Sequence, residues 1–488
     1  MAKETNISVE KAVGAAAIEL WRKNREQAGL QVDVNPHGTV ENRNKLKEIR
    51  ESLSDITDEE ILALAALTWT KMGKKLHSSE KTWITIVPSR ESTGTTIFNG
   101  EMSLLSKMRQ AQIAKDCGLW PDNNHLFELT EKPLVINKQQ MRQILDIGDS
   151  LFGTGGVLDG LVMLHRDLCQ TNQKPSNNLL RLFADSIKHK ERSINNFGNQ
   201  PALLARVDLM IDTDGNIKIA EIEAAGKIHG LGFGLFTELI ADVPNPNTLG
   251  IMHGMTKLIR SNGKDNIKLL VSSRFFLPEI ELVSRKLQLE NINSQVIFCD
   301  PRSGDQPDPK NTTLFNLPQN SPRHLLDSWG KGNLDCLLPP RPILGTKASL
   351  AVLFNSESDQ EAEEKLLSHI DPIKLASIRR FIPATSIFNP DDPNATSMQN
   401  TIIKTIGDSG AKGIALGNNS SKLLKMAKEK NEPIVVSKFI KQDQKDGLFA
   451  RLAAFFSPDG LITMPITLSN NPIVHGGPKN IQTAFSVI

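Results

Sequence analysis

Residues 401–416 read Thr-Ile-Ile-Lys-Thr-Ile-Gly-Asp-Ser-Gly-Ala-Lys-Gly-Ile-Ala-Leu, and no other stretch says more about the architecture of this 488-residue chain. An apolar strand ends at Lys404, a glycine-rich loop follows, and a second apolar strand returns. Glycines let backbone N–H groups approach phosphate oxygens closely, and a lysine at the strand end supplies a cation for the same phosphates. The spacing is neither a Walker motif nor GxGxxG. The pattern predicts a phosphate-binding hairpin, with a plain surface turn as the competing interpretation.

The next apolar segment, residues 432–440, reads Glu-Pro-Ile-Val-Val-Ser-Lys-Phe-Ile and is typical of a buried strand that runs into a polar turn. The backbone groups of Phe439 and Ile440 could face the edge of an adenine ring while Lys438 stays beside the nucleotide. A core strand that ends at a solvated lysine is the simpler alternative.

Upstream, the alternation of strand and helix predicts a small parallel sheet. Residues 267–272 form an apolar strand, 278–289 a helix and 296–299 another strand, which is the pattern of a βαβ unit. The polar, proline-containing stretch 300–323 is interpreted as a surface loop or linker. Strands and helices then alternate from about residue 336 to the end, so the predicted fold class is mixed α/β.

A β-hairpin is predicted further upstream. Two alternating strands, Leu204–Ile211 and Ile217–Ile222, flank the turn Asp212-Thr213-Asp214-Gly215. Asp-Gly between alternating strands is a strong short-range hairpin signal.

Charged residues on this hairpin suggest a metal site. Glu221 and Glu223 are two apart on one strand, so both side chains point to the same face. An acidic pair on one face repels itself unless a cation neutralises it, and oxygen ligands of this kind suit Mg²⁺. Arg206 and Asp208 also share a face, and Arg206 is a candidate clamp for a substrate carboxylate. An exposed sheet face with mixed charges is the competing interpretation.

Composition limits the class of protein. Hydrophobic residues make up 39% and charged residues 23% of the chain, which is ordinary globular usage. Lysine and arginine number 57 against 55 acidic residues, so neither nucleic acid nor a membrane surface is expected as a partner. The polar start and the short apolar stretch 61–69 predict a cytoplasmic protein without a membrane span. A homodimer is left open.

Several of these segments together resemble the eukaryotic-type glutathione synthetase family, within the ATP-grasp superfamily. The likeness covers roughly residues 200–300 and 335–488. The matching segments are Arg206-Val207-Asp208, Glu221-Ile222-Glu223, Ser273-Arg274, Gly345-Thr346-Lys347, Lys404 through Gly410, Ser437-Lys438-Phe439 and Ala450-Arg451.

The resemblance implies an ATP-grasp fold with a small parallel-sheet substrate subdomain. The residue pattern itself predicts a helical N-terminal region in 1–110. The chain is then divided into a core with the metal-binding hairpin in 111–265, the substrate subdomain in 266–335 and the nucleotide-binding region in 336–488.

The resemblance also implies an activity and its residues. The activity is ADP-forming carbon–nitrogen ligation, in which ATP and Mg²⁺ serve to join a small carboxylate to an amine through an acyl phosphate. Arg206 and Lys404 would be catalytic, and Arg206 and Arg274 would bind substrate. Glu221, Glu223 and Asp408 would hold the metal. The residues implied to bind ATP are Lys347, Lys404, Gly407, Ser409, Gly410, Lys438, Phe439 and Ile440.

The chain departs from the family pattern at sites that matter for chemistry. Glu223 stands where the family has asparagine, and Asp408 stands where it has glutamate. The C-terminal arginine and the Ala/Gly-rich lid of the family have no convincing match in this sequence. Two alternatives therefore stay open, namely ligation of amino acids or a polyamine to a peptide, and a non-catalytic nucleotide-binding or scaffold protein.

Overall fold

The structure is a computed structural model, and the chain in it divides into two compact units, Met1–Asp116 and Cys117–Ile488. The helices predicted for the N-terminal region lie outside the described residues, and the four predicted regions stay predictions. The described residues are 128–129, 133–170, 175–187, 200–224, 226, 230–232, 234–235, 238, 247–271, 276–299, 313–317, 321–388, 400–406, 413–416, 420–445, 447–474, 480–483 and 485–487.

The strands are numbered along the described part of the chain. They are β1 Glu128–Leu129, β2 Leu134–Ile136, β3 Ala205–Ile211, β4 Ile217–Glu223, β5 Asn266–Val271, β6 Asn293–Phe298, β7 Thr313–Asn316, β8 Asp335–Leu338, β9 Thr385–Phe388, β10 Thr401–Thr405, β11 Ile414–Leu416, β12 Ile434–Lys438, β13 Gln444–Lys445, β14 Leu448–Ser457, β15 Gly460–Thr463, β16 Ile466–Ser469, β17 Ile481–Thr483 and β18 Phe485–Val487.

The helices are numbered in the same way. They are α1 Lys138–Leu151, α2 Val157–Gln170, α3 Asn178–Ala184, α4 Ile251–Ser261, α5 Leu277–Leu289, α6 Arg323–Gly330, α7 Ala348–Asn355, α8 Gln360–Leu367, α9 Pro372–Arg379 and α10 Ser421–Lys430, with short 3-10 helices at Pro342–Gly345 and Ser356–Ser358.

The largest sheet contains the predicted hairpin. Its order is β1-β17-β16-β14-β3-β4, with β13 and β15 also paired to β14. Strand β3 pairs antiparallel with β4, and Gly215 closes the turn with φ +81°, a conformation that glycine adopts without strain. Because alternate residues face opposite sides, Val207, Leu209 and Ile222 enter the main hydrophobic core. The hairpin prediction is confirmed.

A four-stranded parallel sheet follows, in the order β6-β5-β7-β8. The predicted βαβ unit is confirmed as β5, α5 and β6. The interpretation of 300–323 as a loop or linker is wrong at β7, which lies between β5 and β8 inside the sheet. The side chain of fully buried Asn316 accepts from Leu270 N at 2.9 Å and donates to Leu270 O at 3.0 Å. A strand of four residues is too short for its pattern to stand out from polar, proline-rich flanks.

A second antiparallel sheet has the order β11-β10-β12-β9. Ile403, Ile434 and Val436 pack with Leu423, Leu424 and Ala427 of α10, so one face of this sheet is covered by that helix. Lys404 is next to Ile403 in β10, and its side chain therefore points to the opposite face. Strands β10 and β11, which flank the predicted glycine-rich loop in the sequence, thus belong to a packed sheet.

Together these sheets and helices bear out a mixed α/β architecture with both antiparallel and parallel sheets. Within the described ranges, none of the helices has the length and apolar character needed to cross a membrane.

Candidate active site

The candidate site is built on the face of the β3–β4 hairpin that points away from the main core. Arg206 lies opposite Glu223, and Asp208 lies opposite Glu221, across the antiparallel pair. The register then shifts, since Leu209 pairs with Ile219 and leaves Ala220 as an extra residue. The alternation predicted from the sequence therefore places one arginine and three acids on the same surface.

Arg206 lies at the centre of these charges. Its Nε donates to Asp208 Oδ1 at 2.9 Å, and its Nη2 lies 2.8 Å from Glu223 Oε2. Burial by itself lowers the pKa of Arg206, but the carboxylates of Asp208, Glu223 and Glu221 outweigh burial, and the net result is a raised pKa. The guanidinium is permanently charged and held in one orientation.

Lys347 is brought to the hairpin by main-chain bonding. Ala224 N, just after β4, donates to Leu344 O at 3.2 Å, which ties the hairpin to the 3-10 helix that precedes Lys347. Lys347 is the N-cap residue of α7 and is only 6% exposed. Its Nζ lies 3.5 Å from Glu221 Oε1.

Lys404 reaches the same place from the second sheet. Its Nζ donates to Ala220 O at 2.9 Å, so the lysine contacts the hairpin at the register shift. Burial, the largest effect, lowers the pKa of Lys404 to about 8, and Lys347 contributes to the lowering, whereas Glu221 and Asp208 oppose it. Lys347, Lys404 and Glu221 thus gather at one point, although they come from three distant segments.

Arg451 joins the site from β14, and the sequence reasoning did not place it among the functional residues. Its Nη1 lies 3.5 Å from Asp208 Oδ2, so Asp208 bridges two arginines. Within the described residues, the buried Nε of Arg451 has no hydrogen-bond partner. A signal was available, because Arg451 is the single charged residue in the apolar strand Leu448–Ser457. Asp208 was recognised from the sequence as sharing a face with Arg206, but it was given no role there.

The candidate adenine-side segment lies at the end of β12. Lys438 N donates to Ala384 O at 2.7 Å, and Phe439 N donates to Asn400 O at 2.9 Å. Both backbone donors are therefore already used within the protein. The Lys438 side chain is exposed, and Phe439 and Ile440 are half-buried.

Five predicted site residues lie outside the described residues. They are Arg274, Gly407, Asp408, Ser409 and Gly410.

The side chains present fit a divalent metal beside a polyphosphate. Glu221 and Glu223 offer carboxylate oxygens on one face and are partly exposed, at 25% and 12% of their side-chain areas. Mg²⁺ takes one or two protein carboxylates and completes its shell with water and phosphate oxygens. Among the described residues, no group of three or more histidines, cysteines and acids is arranged to hold a metal ion.

Comparison with known proteins places the chain in no established group. No protein-family model matches it. No curated protein matches it either. One solved structure, a protein from Methylobacillus flagellatus KT provisionally described as a gamma-glutamylcysteine synthetase, is 12% identical with a TM-score of 0.35. The match covers 67% of this chain and 85% of that one. Nothing about the fold or function of this chain follows from a similarity of that size.

Proposed function

We propose that this protein is an ATP-dependent ligase that joins a small carboxylate to an amine. The proposal includes an ATP-grasp arrangement, in which a nucleotide lies between the β9–β12 sheet and the β3–β4 hairpin. The observation that carries it is the convergence of two lysines and an acid, with Lys347 Nζ 3.5 Å from Glu221 and Lys404 Nζ 2.9 Å from Ala220 O.

Two buried lysines at one place need a reason, because burial disfavours their charged form. Lys347 is 6% exposed and Lys404 is 9% exposed. A bound polyphosphate would neutralise both ammonium groups, which supports a phosphate-binding role. The N-terminus of α7 begins at Lys347, and its partial positive charge favours an anion at the same place.

The proposed reaction has two steps. A carboxylate oxygen of the first substrate attacks the γ-phosphorus of ATP, the bond from that phosphorus to the β–γ bridging oxygen breaks, and ADP leaves. The amine lone pair then attacks the acyl carbon, the bond from that carbon to the phosphate oxygen breaks, and phosphate leaves while the nitrogen loses a proton. Such reactions depend on positioning and charge neutralisation more than on covalent help from the protein.

Several of the described side chains have a role in this scheme. Lys347 and Lys404 hold phosphate oxygens, and Arg206 steadies the transferred phosphoryl group or the substrate carboxylate. Lys438 stays near the nucleotide. Because Phe439 N is already bonded to Asn400 O, the Phe439–Ile440 segment would present carbonyl oxygens or the Ile440 N–H to the base.

Glu221, Glu223 and Asp408 are the proposed holders of Mg²⁺. When bound, the ion neutralises charge on the phosphate oxygens. Glu223 is also paired with Arg206, so the same carboxylate would orient the arginine and the metal.

Phosphate release from ATP tests the proposal. We expect release only with a suitable carboxylate–amine pair from a panel of amino acids, polyamines and small peptides. Lys404→Gln should reduce turnover at least 100-fold, about 3 kcal/mol of transition-state stabilisation, as is typical for loss of one electrostatic group. The matched control is Lys257→Gln, which removes the same kind of charge from an exposed ion pair with Asp459.

The rival proposal is a nucleotide-binding protein without turnover. It would be favoured by ATP binding with no phosphate release for any substrate pair, and by equal ATP affinity with and without those substrates.

A further inference from the structure

The acids proposed to bind metal already have cationic partners. Glu221 faces Lys347 at 3.5 Å, and Glu223 faces Arg206 at 2.8 Å. Asp208, the remaining acid on this face, is bonded to Arg206 and paired with Arg451. The described face carries four basic and three acidic side chains, so it has no surplus negative charge to attract a free cation.

The two cationic partners, Arg206 and Lys347, differ in how readily a ligand could draw them away from their carboxylates. Arg206 is held by Asp208 as well as by Glu223, so it keeps one carboxylate when the other is engaged elsewhere. Lys347 lies at the N-terminus of α7 and contacts Glu221, while Lys404 contacts the adjacent residue Ala220. A polyphosphate would be attracted to these two cations and to the helix N-terminus. A polyphosphate drawing Lys347 onto its own oxygens would release Glu221.

We propose that Lys347 is an ionic lock on the metal site: in the nucleotide-free protein it occupies the Glu221 carboxylate, so that the hairpin takes a divalent cation only together with a nucleotide. This inference rests on the proposed nucleotide site and adds its regulation. The lock keeps a bare metal ion from occupying the site, and it makes contact between Lys347 and phosphate a condition for metal binding. Reciprocity requires the metal in turn to favour the nucleotide by the same factor.

The test measures metal binding without nucleotide and without turnover. Mn²⁺ replaces Mg²⁺ as the probe, and its free concentration is followed by electron paramagnetic resonance during titration of the full-length protein. We expect weak binding by the wild type and by Lys347→Arg, which retains the cation. Lys347→Gln should bind Mn²⁺ about 5–150-fold more tightly, the usual range for coupled sites.

Two further variants make the result specific. The double variant Lys347→Gln/Glu221→Gln should lose the gain, because the released carboxylate is gone. Lys257→Gln, which breaks the exposed pair with Asp459 at 2.8 Å, should behave as the wild type. Circular dichroism and thermal unfolding check that each variant is folded. Lys404→Gln is a second test, and we expect its Mn²⁺ affinity to rise less than that of Lys347→Gln.

Unchanged Mn²⁺ affinity in folded Lys347→Gln and Lys404→Gln would overturn the lock. Mn²⁺ affinity that stays raised in the double variant Lys347→Gln/Glu221→Gln would overturn it too. Calorimetric titration of the wild type with ATP, with and without Mg²⁺, is a separate experiment. Failure to bind ATP under either condition would overturn the proposed function, whereas the metal affinities of the variants decide the lock.

Discussion

Asp208 is a buried acid that lies between two arginines of the site. It is 5% exposed, accepts from Arg206 at 2.9 Å, and lies 3.5 Å from Arg451. A buried acid between two arginines offsets the positive charge of both, and loss of the acid leaves two like charges close together.

We expect Asp208→Asn to lower the free energy of unfolding by about 3 kcal/mol, the cost of breaking a buried ion pair. The control is Asp327→Asn, which breaks an exposed pair with Arg323 one helical turn away and should change stability by less than about 0.5 kcal/mol. Urea unfolding of both variants gives the comparison. Equal losses would show that Asp208 is not a buried bridge.

Glu238 is a second acid whose surroundings predict a pH effect. Burial raises the pKa of Glu238 from 4.5 to about 7, while bonds from Ile251 N and Thr463 lower it only in part. The folded state keeps this proton to a higher pH than the unfolded state. The contribution of protonated Glu238 to the stability of the folded state is therefore fully present below pH 4.5 and is lost as pH rises through about 7.

The corresponding variant is Glu238→Gln, which cannot ionise and keeps an acceptor for Ile251 N. We expect it to flatten the fall in stability between pH 4.5 and 7 and to be more stable than the wild type above pH 7. Thermal unfolding across this pH range is the measurement. Parallel curves for the two proteins would contradict the assignment.

At the level of elements, α1 supports the hairpin from the core side. Its N-terminus has a capping box, in which Asn137 Oδ1 accepts from Gln140 N at 2.8 Å and Gln140 Oε1 accepts from Asn137 N at 3.0 Å. Gln140 Nε2 also donates to Gly215 O at 2.9 Å in the hairpin turn. One residue thus joins the start of the helix to the tip of the β3–β4 hairpin.

We expect Asn137→Ala to cost about 1 kcal/mol of stability, because the backbone N–H of Gln140 at the helix start loses its side-chain acceptor. Lys138→Ala, at the exposed first helical position, is the control and should be within about 0.5 kcal/mol of the wild type. Denaturant midpoints that do not differ between the two variants would refute the capping role.

The middle of α1 packs closely against β14 at Gly148. A Cβ added there would meet Phe456 Cδ1 at 2.5 Å, and Phe456 is fully buried. We expect Gly148→Ala to destabilise the protein by about 1–3 kcal/mol through overpacking, although alanine favours a helix intrinsically. Arg142→Ala, exposed in the same helix, controls for helix propensity, and urea unfolding separates the two effects.

For the whole molecule, nucleotide binding should couple the two sheets. Lys404 belongs to the β9–β12 sheet, and its contact at Ala220 belongs to the hairpin of the largest sheet. A ligand held by Lys404 and Lys347 together with Glu221 would add bonds between elements that lie far apart in sequence.

We expect Mg²⁺ and ATP at 100 times the dissociation constant to stabilise the described unit by about 2.7 kcal/mol, as mass action requires. Lys347→Gln/Lys404→Gln should lose this stabilisation at the same ligand concentration. Differential scanning calorimetry with and without ligand checks it, and the Lys257→Gln control should respond as the wild type. If ligand raised the unfolding temperature of the double variant as much as that of the wild type, the assignment of the two lysines would be contradicted.

The sequence alone determined the local elements and the faces of their side chains. The Asp-Gly turn and the period of two identified the hairpin, and they placed Arg206 with Asp208 and Glu221 with Glu223. The βαβ unit was equally readable, because parallel strands with a connecting helix have a strong local pattern. The short strand β7 could not be predicted from the sequence, because its place in the sheet depends on the neighbouring strands β5 and β8 and not on its own four residues.

Only the tertiary structure decided which charges meet. The bond from Lys404 to Ala220, the pair of Lys347 with Glu221, and the bridge from Asp208 to Arg451 all join distant segments. A period of two specifies the face of a strand on which a side chain lies, but not what packs against that face. That choice belongs to the packing of whole sheets and helices, because only burial of their apolar faces brings distant charged residues together.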